Sequence, residues 1–465
     1  MHLSAKPVPD NLGNGLDKLV TNNLIQKGVI TAVPRGDRTT TTKDFATYTA
    51  MIGKQATGYM QRAMIDSTTG KYLVQIMPNG RVPVTILQTT LQAAYPTISV
   101  QATDQRYADH GVIEAYLVLD DVPRIANAQG VGSVILELRP IHSAGAVTSQ
   151  GVHLHRVNRI NNFYNAGVDS FDSEPAAEGG DTTAAMDVGT GDLPGTGNTD
   201  NSQPVVVLQD FNSPPFATNE GRAMCQIVHD MAPQARIGFA TADSGELGFA
   251  NNIRALAGLN GYTYPDATQQ GFKADVVCDD VSYLDEAMFQ DGIIAQGVND
   301  VVAAGVSYAS SAANNWSVDG YQAPFRYVAN GKGLIATTNT ALKNTNINLA
   351  GVPPELYAGG FHNFNPSGSP AKVDVAQTIN SGSDALAFVF QWNDPYDANA
   401  PALIDPAIFT GNGDSEGGQG VDFGPVALTA GNSYVISELA TPATPADNFD
   451  AIVAVIDPNG NFSRK

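Results

Sequence analysis

The chain has 465 residues, enough for about three domains of ordinary size, and 43% of them are hydrophobic. It carries 46 acidic and 25 basic residues, a net charge of −21, which argues against binding to nucleic acid or to an anionic membrane surface. No apolar run reaches the roughly 18 residues of a spanning helix, so the sequence predicts no membrane span.

Composition also bears on compartment and redox state. The acidic balance suits an extracellular or high-salt protein, or simply a soluble acidic one. We expect an extracellular or cell-surface location, although the first residues lack the apolar centre of a signal peptide. Cys225 and Cys278 both lie in apolar runs, so we expect two free, buried thiols rather than a disulfide. Nothing in the sequence indicates an oligomeric state.

Residues 1–69 form an N-terminal segment to which we assign no function, with one helical pattern from Leu16 to Ile25. Residues 70–140 follow the order β-α-β-β-α-β, which is that of a ferredoxin-like α+β unit. The elements are Tyr72–Met77, Val84–Ala94, Ile98–Ala102, Val112–Leu119, a helix starting at Val122, and Ser133–Leu138. In the first helix, the spacing predicts one buried side formed by Ile86, Leu87, Leu91 and Ala94.

Residues 141–203 are mostly polar. His153 and His155 would share one face of a strand and could together bind a metal, but no third ligand is in view, so we predict no metal site. The acidic, Gly-rich stretch Asp172–Gln203 lacks the spacing of an EF-hand loop. No motif supports a structural Ca²⁺, and we expect no cofactor.

Strands and helices alternate regularly from residue 204 onward. The predicted strands are Val205–Leu208, Arg236–Thr241, Ala274–Ser282 and Val306–Ser311, and the predicted helices are Glu220–Asp230, Glu246–Ala257 and Asp291–Ala304. This pattern predicts a doubly wound parallel sheet. In the last helix we expect Ile294, Val298, Val301 and Val302 to face inward, with Gly305 as a C-terminal cap.

Ligands of doubly wound sheets bind at the carboxyl ends of the strands. Four places in the sequence meet that description: Asp169, the Asn219–Glu220 corner, Asp280–Tyr283 and Ala312–Asn315. After residue 345 only strand-like runs appear, separated by Gly, Asp, Asn and Pro clusters. Residues 346–465 are therefore predicted to form an all-β module, a sandwich or jelly roll.

Several segments resemble the subtilisin/sedolisin superfamily of serine peptidases, in particular its bacterial subtilisin-like, sedolisin-like branch. They are VTSQGVHLHRVNRI, EGRAMCQIVHDMAP, FANNIRALAG, DDVSYLDEAMFQDG and SSAANN. The resemblance covers roughly residues 70–345. It implies a subtilisin-like peptidase domain over residues 141–345, a prodomain-type unit over 70–140, and a pre-peptidase C-terminal-like module over 346–465.

The resemblance also implies roles for individual residues. Asp169, in GVDSF, matches the acidic member of the catalytic set, and Glu220 matches the base. Asn314, in SSAANN, matches the asparagine that stabilises the oxyanion. Ser282 and Tyr283 match the strand whose backbone pairs with substrate, so the implied partner is a peptide or protein.

Glu220 has a rival as base in His229, nine residues later on the same helix and about 180° round it. Both residues cannot face one cleft, and a histidine beside Asp230 at a helix end is more simply structural. A carboxylate can take the proton of a serine hydroxyl if its pKa suits the working pH, so a glutamate base implies an acidic optimum unless burial raises that pKa.

The sequence departs from the family in two respects. No GTSxxxP-type segment, which carries the nucleophilic serine, occurs in these 465 residues. The approach to Asp169 is short, so the first core strand, at Asn165–Val168, is expected to be thin or missing. Three interpretations stay open: an N-terminal part of a peptidase, a pseudopeptidase that binds peptide, or a structural surface protein.

Overall fold

The structure, a computed structural model, describes the chain over residues 7–9, 11–34, 44–105, 111–142, 183–211, 219–259, 272–283, 291–312 and 363–365, and at positions 261, 286 and 326. For residues 141–142, 164–167 and the strands after residue 319 it describes the backbone. The chain divides into two compact units, one formed by Met1–Leu138, Ala287–Gln290 and Trp316–Lys465, the other by Arg139–Glu286 and Asp291–Asn315. Parallel and antiparallel sheets both occur, so the class is mixed α/β.

The N-terminal part of the first unit is a five-stranded sheet with four helices. The strands are β1 (Leu12–Gly13), β2 (Tyr72–Pro78), β3 (Ser99–Thr103), β4 (Ile113–Leu117) and β5 (Val131–Leu136). The helices are α1 (Leu16–Gln26), α2 (Phe45–Arg62), α3 (Val84–Ala94) and α4 (Val122–Ala126). The strand order is β1-β5-β2-β4-β3, with β1 parallel to β5 and all other pairs antiparallel. The six elements predicted after residue 70 are therefore present in the predicted order.

Residues 1–69, to which the sequence assigned no function, contribute elements to this unit. Besides α1, which was predicted, they contribute β1 and the 18-residue helix α2, which were not. Asp44 caps α2 by accepting the N–H of Thr47 at 2.9 Å. The buried side of α2 is formed at helical spacing by Tyr48, Ile52, Ala56 and Tyr59.

One helix face was predicted partly wrongly. In α3 the buried side chains are Val84, Leu87 and Leu91, whereas Ile86 is 56% exposed and Ala94 is also exposed. The helix carries a run of apolar residues, and the sheet covers only the narrow stripe that includes Leu87 and Leu91.

The second unit is built on parallel strands. They are β7 (Tyr164–Gly167), β8 (Val206–Gln209), β9 (Arg236–Ala240), β10 (Val276–Asp279) and β12 (Ser307–Ser310). Hydrogen bonds join them in the order β8-β9-β7 and β10-β12, and β10 runs beside β7. Two short strands, β6 (Ile141–His142) and β11 (Val281–Ser282), form a separate antiparallel pair. The helices are α5 (Ala184–Thr190), α6 (Glu220–Met231), α7 (Glu246–Leu256) and α8 (Ile293–Ala303).

Helices cover both faces of this sheet. On one face, Ile237 and Phe239 of β9 pack with Cys225 of α6 and with residues of α5. On the other face, Val277 of β10 packs with side chains of α7 and α8, among them Val301. A sheet with two apolar faces needs a layer of helices on each face to bury both of them.

The structure decides three details of the sequence prediction. The first core strand, expected to be thin or missing at Asn165–Val168, is present but short: the four-residue β7 pairs with β9 and runs beside β10. The long strand predicted over Ala274–Ser282 is interrupted at Asp280, where β10 ends and β11 leaves for another partner. Val302 of α8 is 51% exposed rather than buried, whereas Gly305 follows the helix with a φ of 93°, as a cap requires.

From residue 320 onward, the regular secondary structure in the described part of the chain consists of strands. The strands β13 (Gly320–Pro324), β17 (Leu386–Gln391), β20 (Val421–Val426) and β22 (Asp450–Ile456) form one sheet. The strands β14 (Tyr327–Val328), β15 (Phe361–His362), β16 (Gln377–Asn380), β18 (Ile404–Ile408), β19 (Asn412–Gly413) and β21 (Ser433–Ala440) form a second. All pairs in both are antiparallel.

Candidate functional site

The candidate site lies where the parallel strands of the second unit end. We call this region the carboxyl edge; it comprises the strand ends Gln209–Phe211, Thr241–Glu246, Asp279–Tyr283 and Ser310–Ser311, together with Asn219–Glu220, the helix start that follows β8. From β7 the chain goes to β8 and β9 on one side, and then to β10 and β12 on the other. Such a reversal opens a crevice between neighbouring strand ends, and open α/β sheets bind ligands in it.

Glu220 is the first residue of α6, after the N-cap Asn219. Because α6 follows β8, its N-terminus lies at the carboxyl edge, and Glu220 is half-buried there. The positive end of the helix dipole favours the charged form of a carboxylate in this position. The predicted base is therefore at the edge where a ligand of this sheet would bind.

His229, the rival base, lies at the other end of α6. Nine residues at the helical rise of 1.5 Å separate it from Glu220 by about 13 Å along the axis. His229 is 3% exposed, and its Nε2 is 3.1 Å from Nδ2 of Asn198. Burial lowers the pKa of His229, against the opposing attraction of Asp230 and other nearby carboxylates. Its role is to tie the loop after α5 to α6, and it does not face the carboxyl edge.

The residues around the end of β10 contribute to the core on the α7 and α8 side. Val277 and Tyr283 are buried in it, and Val281 packs against it. Asp280 lies between β10 and β11 and is half-buried.

Asp279, on the α7 and α8 side, is held by hydroxyl groups of the neighbouring strand. Its carboxylate accepts hydrogen bonds from Ser310 Oγ at 2.7 Å and from the hydroxyl of Tyr308. Burial raises the pKa of Asp279, and these two hydrogen bonds oppose the rise. The residue fixes β10 to β12 at the carboxyl edge.

The loop after β9 carries a buried ion pair. Arg139 Nη1 lies 3.0 Å from Asp243 Oδ2, and the side chains are 12% and 2% exposed. The guanidinium also lies 5.7 Å from the centre of the Phe211 ring. The same loop is also held by Asn252 of α7, whose Nδ2 donates to the carbonyl of Thr241 at 2.6 Å. The loop is therefore a rigid part of the edge.

Two carboxyl groups meet where α7 and α8 begin. Glu246 opens α7 and is 5% exposed, and the side chain of Glu286 lies near it. Glu286 Oε1 accepts the N–H groups of Ile294 at 3.0 Å and Ala295 at 3.1 Å in the first turn of α8. Burial raises the pKa of Glu286.

The strand that was predicted to pair with substrate pairs with another part of this chain. In the antiparallel pair of β11 and β6, Val281 is opposite His142 and Ser282 is opposite Ile141. Tyr283 is 8% exposed, and its hydroxyl donates to the carbonyl of Ala242 at 2.5 Å. The backbone at Ser282 is thus paired within this chain, and the side chain of Tyr283 is part of the core.

The remaining predicted site residues lie outside the described part of the chain. Asp169 follows β7 by two positions and Asn314 follows β12 by four, and the structure describes neither. His153 and His155 are likewise outside it. Of the five predicted site residues, Glu220, Ser282 and Tyr283 can be located, all three at the carboxyl edge.

Sequence reasoning missed Arg139, Asp243 and the two glutamates Glu246 and Glu286. A signal existed for Asp243 and Glu246, since both stand between the end of a strand and the start of a helix. Arg139 and Glu286 gave no such signal in the sequence, because each lies in a loop and its contacts are with residues of other elements.

Both cysteines are free; Cys225 is buried and Cys278 is half-buried. Among the described residues, no group of three or more His, Cys, Asp or Glu side chains is placed to hold a metal ion. No helix in the described ranges is long and apolar enough to cross a membrane.

Comparison with known proteins adds no relative from which a role could be transferred. No family model matches the chain, and a search of curated proteins likewise finds no match. The functional argument therefore rests on the motifs and on the geometry of the carboxyl edge.

Proposed function

We propose that this chain is a serine-type endopeptidase of the subtilisin/sedolisin type, or the N-terminal part of one, in which Glu220 acts as general base. The observation that carries the proposal is that Glu220 opens α6 at the carboxyl edge, on the crevice side of the sheet. A subtilisin-like architecture with a jelly-roll-type module after it, and an extracellular or cell-surface location, belong to the same proposal.

The strand pair at the edge supports a peptide as substrate. An extended peptide can bind by adding a strand, using main-chain hydrogen bonds for affinity. β11 already takes part in such a pairing, with residues 141–142 of this chain opposite it. A substrate would occupy that place in the same extended conformation.

The proposed chemistry assigns one task to each group. Glu220 accepts the proton of a serine hydroxyl, Asp169 forms a coupled carboxyl pair with it, and Asn314 donates to the oxyanion, an interaction typically worth about 3 kcal/mol. A carboxylate base at a helix N-terminus stays charged in mild acid, so activity is expected to be highest below neutral pH. The serine itself is not assigned, since no GTSxxxP-type segment occurs in the sequence.

A rhodamine-tagged fluorophosphonate tests the enzymatic proposal directly. The full chain is incubated with this probe between about pH 4 and pH 7, and labelling is read on a gel. Labelling of the native chain that is lost on heat denaturation and strongly reduced in Glu220→Gln supports the proposal. Equal labelling in Glu220→Gln and in the native chain would remove Glu220 from the mechanism.

A second candidate function is peptide binding without turnover. The missing serine motif favours it, and so does the occupied state of β11. A fluorescein-labelled peptide with the sequence of residues 139–145, RPIHSAG, serves as probe, and the double variant Ile141→Pro/His142→Pro vacates the pairing place by removing two N–H donors. The matched control is the same peptide with proline at its third and fourth positions.

The two measurements together separate the candidates. Binding of the native peptide to the double variant without fluorophosphonate labelling indicates a pseudopeptidase. Labelling with cleavage of the peptide indicates a peptidase. Absence of both, in a variant whose circular dichroism matches the native chain, would contradict any peptide-directed function and leave the structural role.

A further inference from the structure

The strongest unused feature of the molecule is a contact between Asp279 and Ser310 at the carboxyl edge. Asp279 is the last residue of β10 and Ser310 is the last residue of β12, and the two are opposite each other in the parallel pairing of these strands. Ser310 Oγ donates a hydrogen bond to Oδ1 of Asp279 at 2.7 Å. Asp279 is 6% exposed, whereas Ser310 is exposed. A serine that is open to solvent is thus bonded to a buried carboxylate.

The other oxygen of the Asp279 carboxylate is held by Tyr308. The Tyr308 hydroxyl donates to Oδ2, and its side chain packs against the buried core on the α7 and α8 side. Burial raises the pKa of this hydroxyl, and the charge of Asp279 raises it further, so the group keeps its hydrogen and stays a donor. The N–H of Val281 lies 3.5 Å from Oδ1. These contacts orient the carboxylate with Oδ1 toward Ser310.

The backbone holds the two side chains at this distance. β10 and β12 pair over four positions, from Val276 opposite Ser307 to Asp279 opposite Ser310. Just beyond them, the N–H of Ser311 donates to the carbonyl of Asp279 at 3.0 Å. The contact therefore lies within a hydrogen-bonded strand pair, and it forms without any rearrangement of loops.

The arrangement has the parts of an activated nucleophile. A serine hydroxyl attacks poorly until an adjacent base takes its proton, and such a base is in turn oriented by a third group. Asp279 is within hydrogen-bond reach of Ser310, and Tyr308 orients it. Burial raises the pKa of Asp279, against the lowering effect of its hydrogen bonds with Tyr308 and Ser310. A carboxylate with a raised pKa takes a proton more readily.

We propose that Ser310 is a nucleophile and Asp279 its general base, and that this pair, which we call the Ser310 dyad, transfers the acyl group of a carboxylic ester to water. The inference goes beyond the proposed peptidase function, because the dyad has a base of its own and requires no proton transfer to Glu220. An ester is the substrate class that suits the dyad, since an alkoxide leaves more readily than an amine.

The reaction needs no reactant other than the ester and water. Ser310 Oγ forms a bond to the carbonyl carbon while its proton passes to Oδ1 of Asp279. The C–O bond to the alcohol then breaks, and the alcohol leaves with the electron pair of that bond and with the proton from Asp279. Water attacks the acyl-serine in the same way, its proton passes to Asp279, and Ser310 Oγ leaves with that proton. The carboxylic acid is released and the dyad returns to its starting state.

A rhodamine-tagged fluorophosphonate tests the dyad on the full chain. The probe forms a stable bond between phosphorus and a serine oxygen as fluoride leaves, and peptide mass spectrometry locates the modified residue. The adduct should form on Ser310. Asp279→Asn keeps the size of the side chain and an oxygen for Ser310 to donate to, but it cannot take up a proton, so adduct formation should slow by about 100-fold. Tyr308→Phe removes only the orienting hydrogen bond and should slow it by roughly fivefold.

Two hydroxyl groups of the same chain serve as controls. Ser307 is exposed at the other end of β12, and Thr190 donates to the exposed Asp192 at 2.6 Å. Neither of the two should carry an adduct. Hydrolysis of p-nitrophenyl acetate, after subtraction of the heat-denatured sample, should be lost in Ser310→Ala and kept in Ser307→Ala. Equal hydrolysis in these two variants would overturn the assignment of the ester as substrate.

The modified residue separates this proposal from the peptidase proposal. An adduct on Ser310 whose rate depends on Asp279 supports the dyad, whatever Glu220→Gln shows. Adducts only on other serines overturn the dyad and leave the peptidase proposal standing. An Asp279→Asn variant that has the native circular dichroism and reacts as fast as the native chain would also overturn it. If Asp279→Asn does not fold, the comparison of Ser310 with Ser307 in the native chain decides, and equal modification of the two overturns the dyad.

Discussion

Arg139 and Asp243 form an ion pair at 3.0 Å that joins the segment leading into β6 to the loop after β9. The two residues are 104 positions apart in the sequence. The pair lies next to the place where β6 lies against β11, so it helps to hold this chain's own segment on the strand proposed to receive a peptide. Buried charges of this kind are costly unless each finds its partner.

Removing Arg139 should destabilise the second unit strongly. Arg139→Met leaves the Asp243 carboxylate, 2% exposed, without its cation, and the free energy of unfolding should fall by about 3–5 kcal/mol in urea titrations. The matched control is Lys27→Met, which removes an ion pair with Asp120 that is about half exposed and should cost under about 1 kcal/mol. Equal losses in the two variants would show that the buried pair has no special weight.

The N-terminal segment should behave as part of the first unit. Gly15 has a φ of 79°, and a Cβ there would lie 2.1 Å from the Tyr59 ring of α2. Gly15→Ala should therefore cost clearly more than Gly28→Ala, whose φ of 69° is similar but whose Cβ meets nothing within 4 Å. The second change carries only the backbone strain of about 1–2 kcal/mol, whereas the first adds overpacking of about 1–3 kcal/mol. Thermal unfolding of both variants measures the difference, and equal losses would contradict the packing of α1 on α2.

His229 should make the chain less stable in mild acid. Burial lowers its pKa below the ordinary 6.5, so its contribution is present above about pH 6.5 and is lost as the pH falls through the lowered value. In His229→Gln the amide oxygen can still accept from Asn198 but does not titrate. Chemical unfolding between about pH 7 and pH 5 should show a smaller pH slope in this variant than in the native chain. An unchanged slope would mean that another group is responsible.

Periodicity in the sequence was enough to predict several helices, among them two that open at the carboxyl edge. α3 has its predicted bounds, and α6 and α7 begin at the predicted residues Glu220 and Glu246. α6 and α7 begin at a glutamate, and all three helices have regular apolar spacing. The helix α2 was missed because Gly53, Gly58 and several threonines lie within it, and its register is fixed by packing of Tyr48 and Tyr59 rather than by propensity.

The candidate site could be predicted only in part, for a physical reason. Glu220 could be predicted because a helix start after a strand marks the carboxyl edge from local sequence alone. The contacts of Arg139 and Glu286 could not be predicted, because they depend on how loops that are distant in sequence meet in space. Strand interruption at Asp280 is of the same kind, since the separation of β11 from β10 follows from its pairing with β6.

Tyr283→Phe should loosen β11 without disturbing its core contact. The substitution removes the hydrogen bond to the Ala242 carbonyl, while the ring can keep its stack on Phe249. A single buried hydrogen bond of this type contributes about 1 kcal/mol, so local opening of the turn should become roughly fivefold more frequent. Hydrogen exchange of residues 276–286 should accelerate accordingly, whereas exchange in β2, in the other unit, should stay as in the native chain. If the two chains exchange equally at 276–286, Tyr283 does not fasten β11.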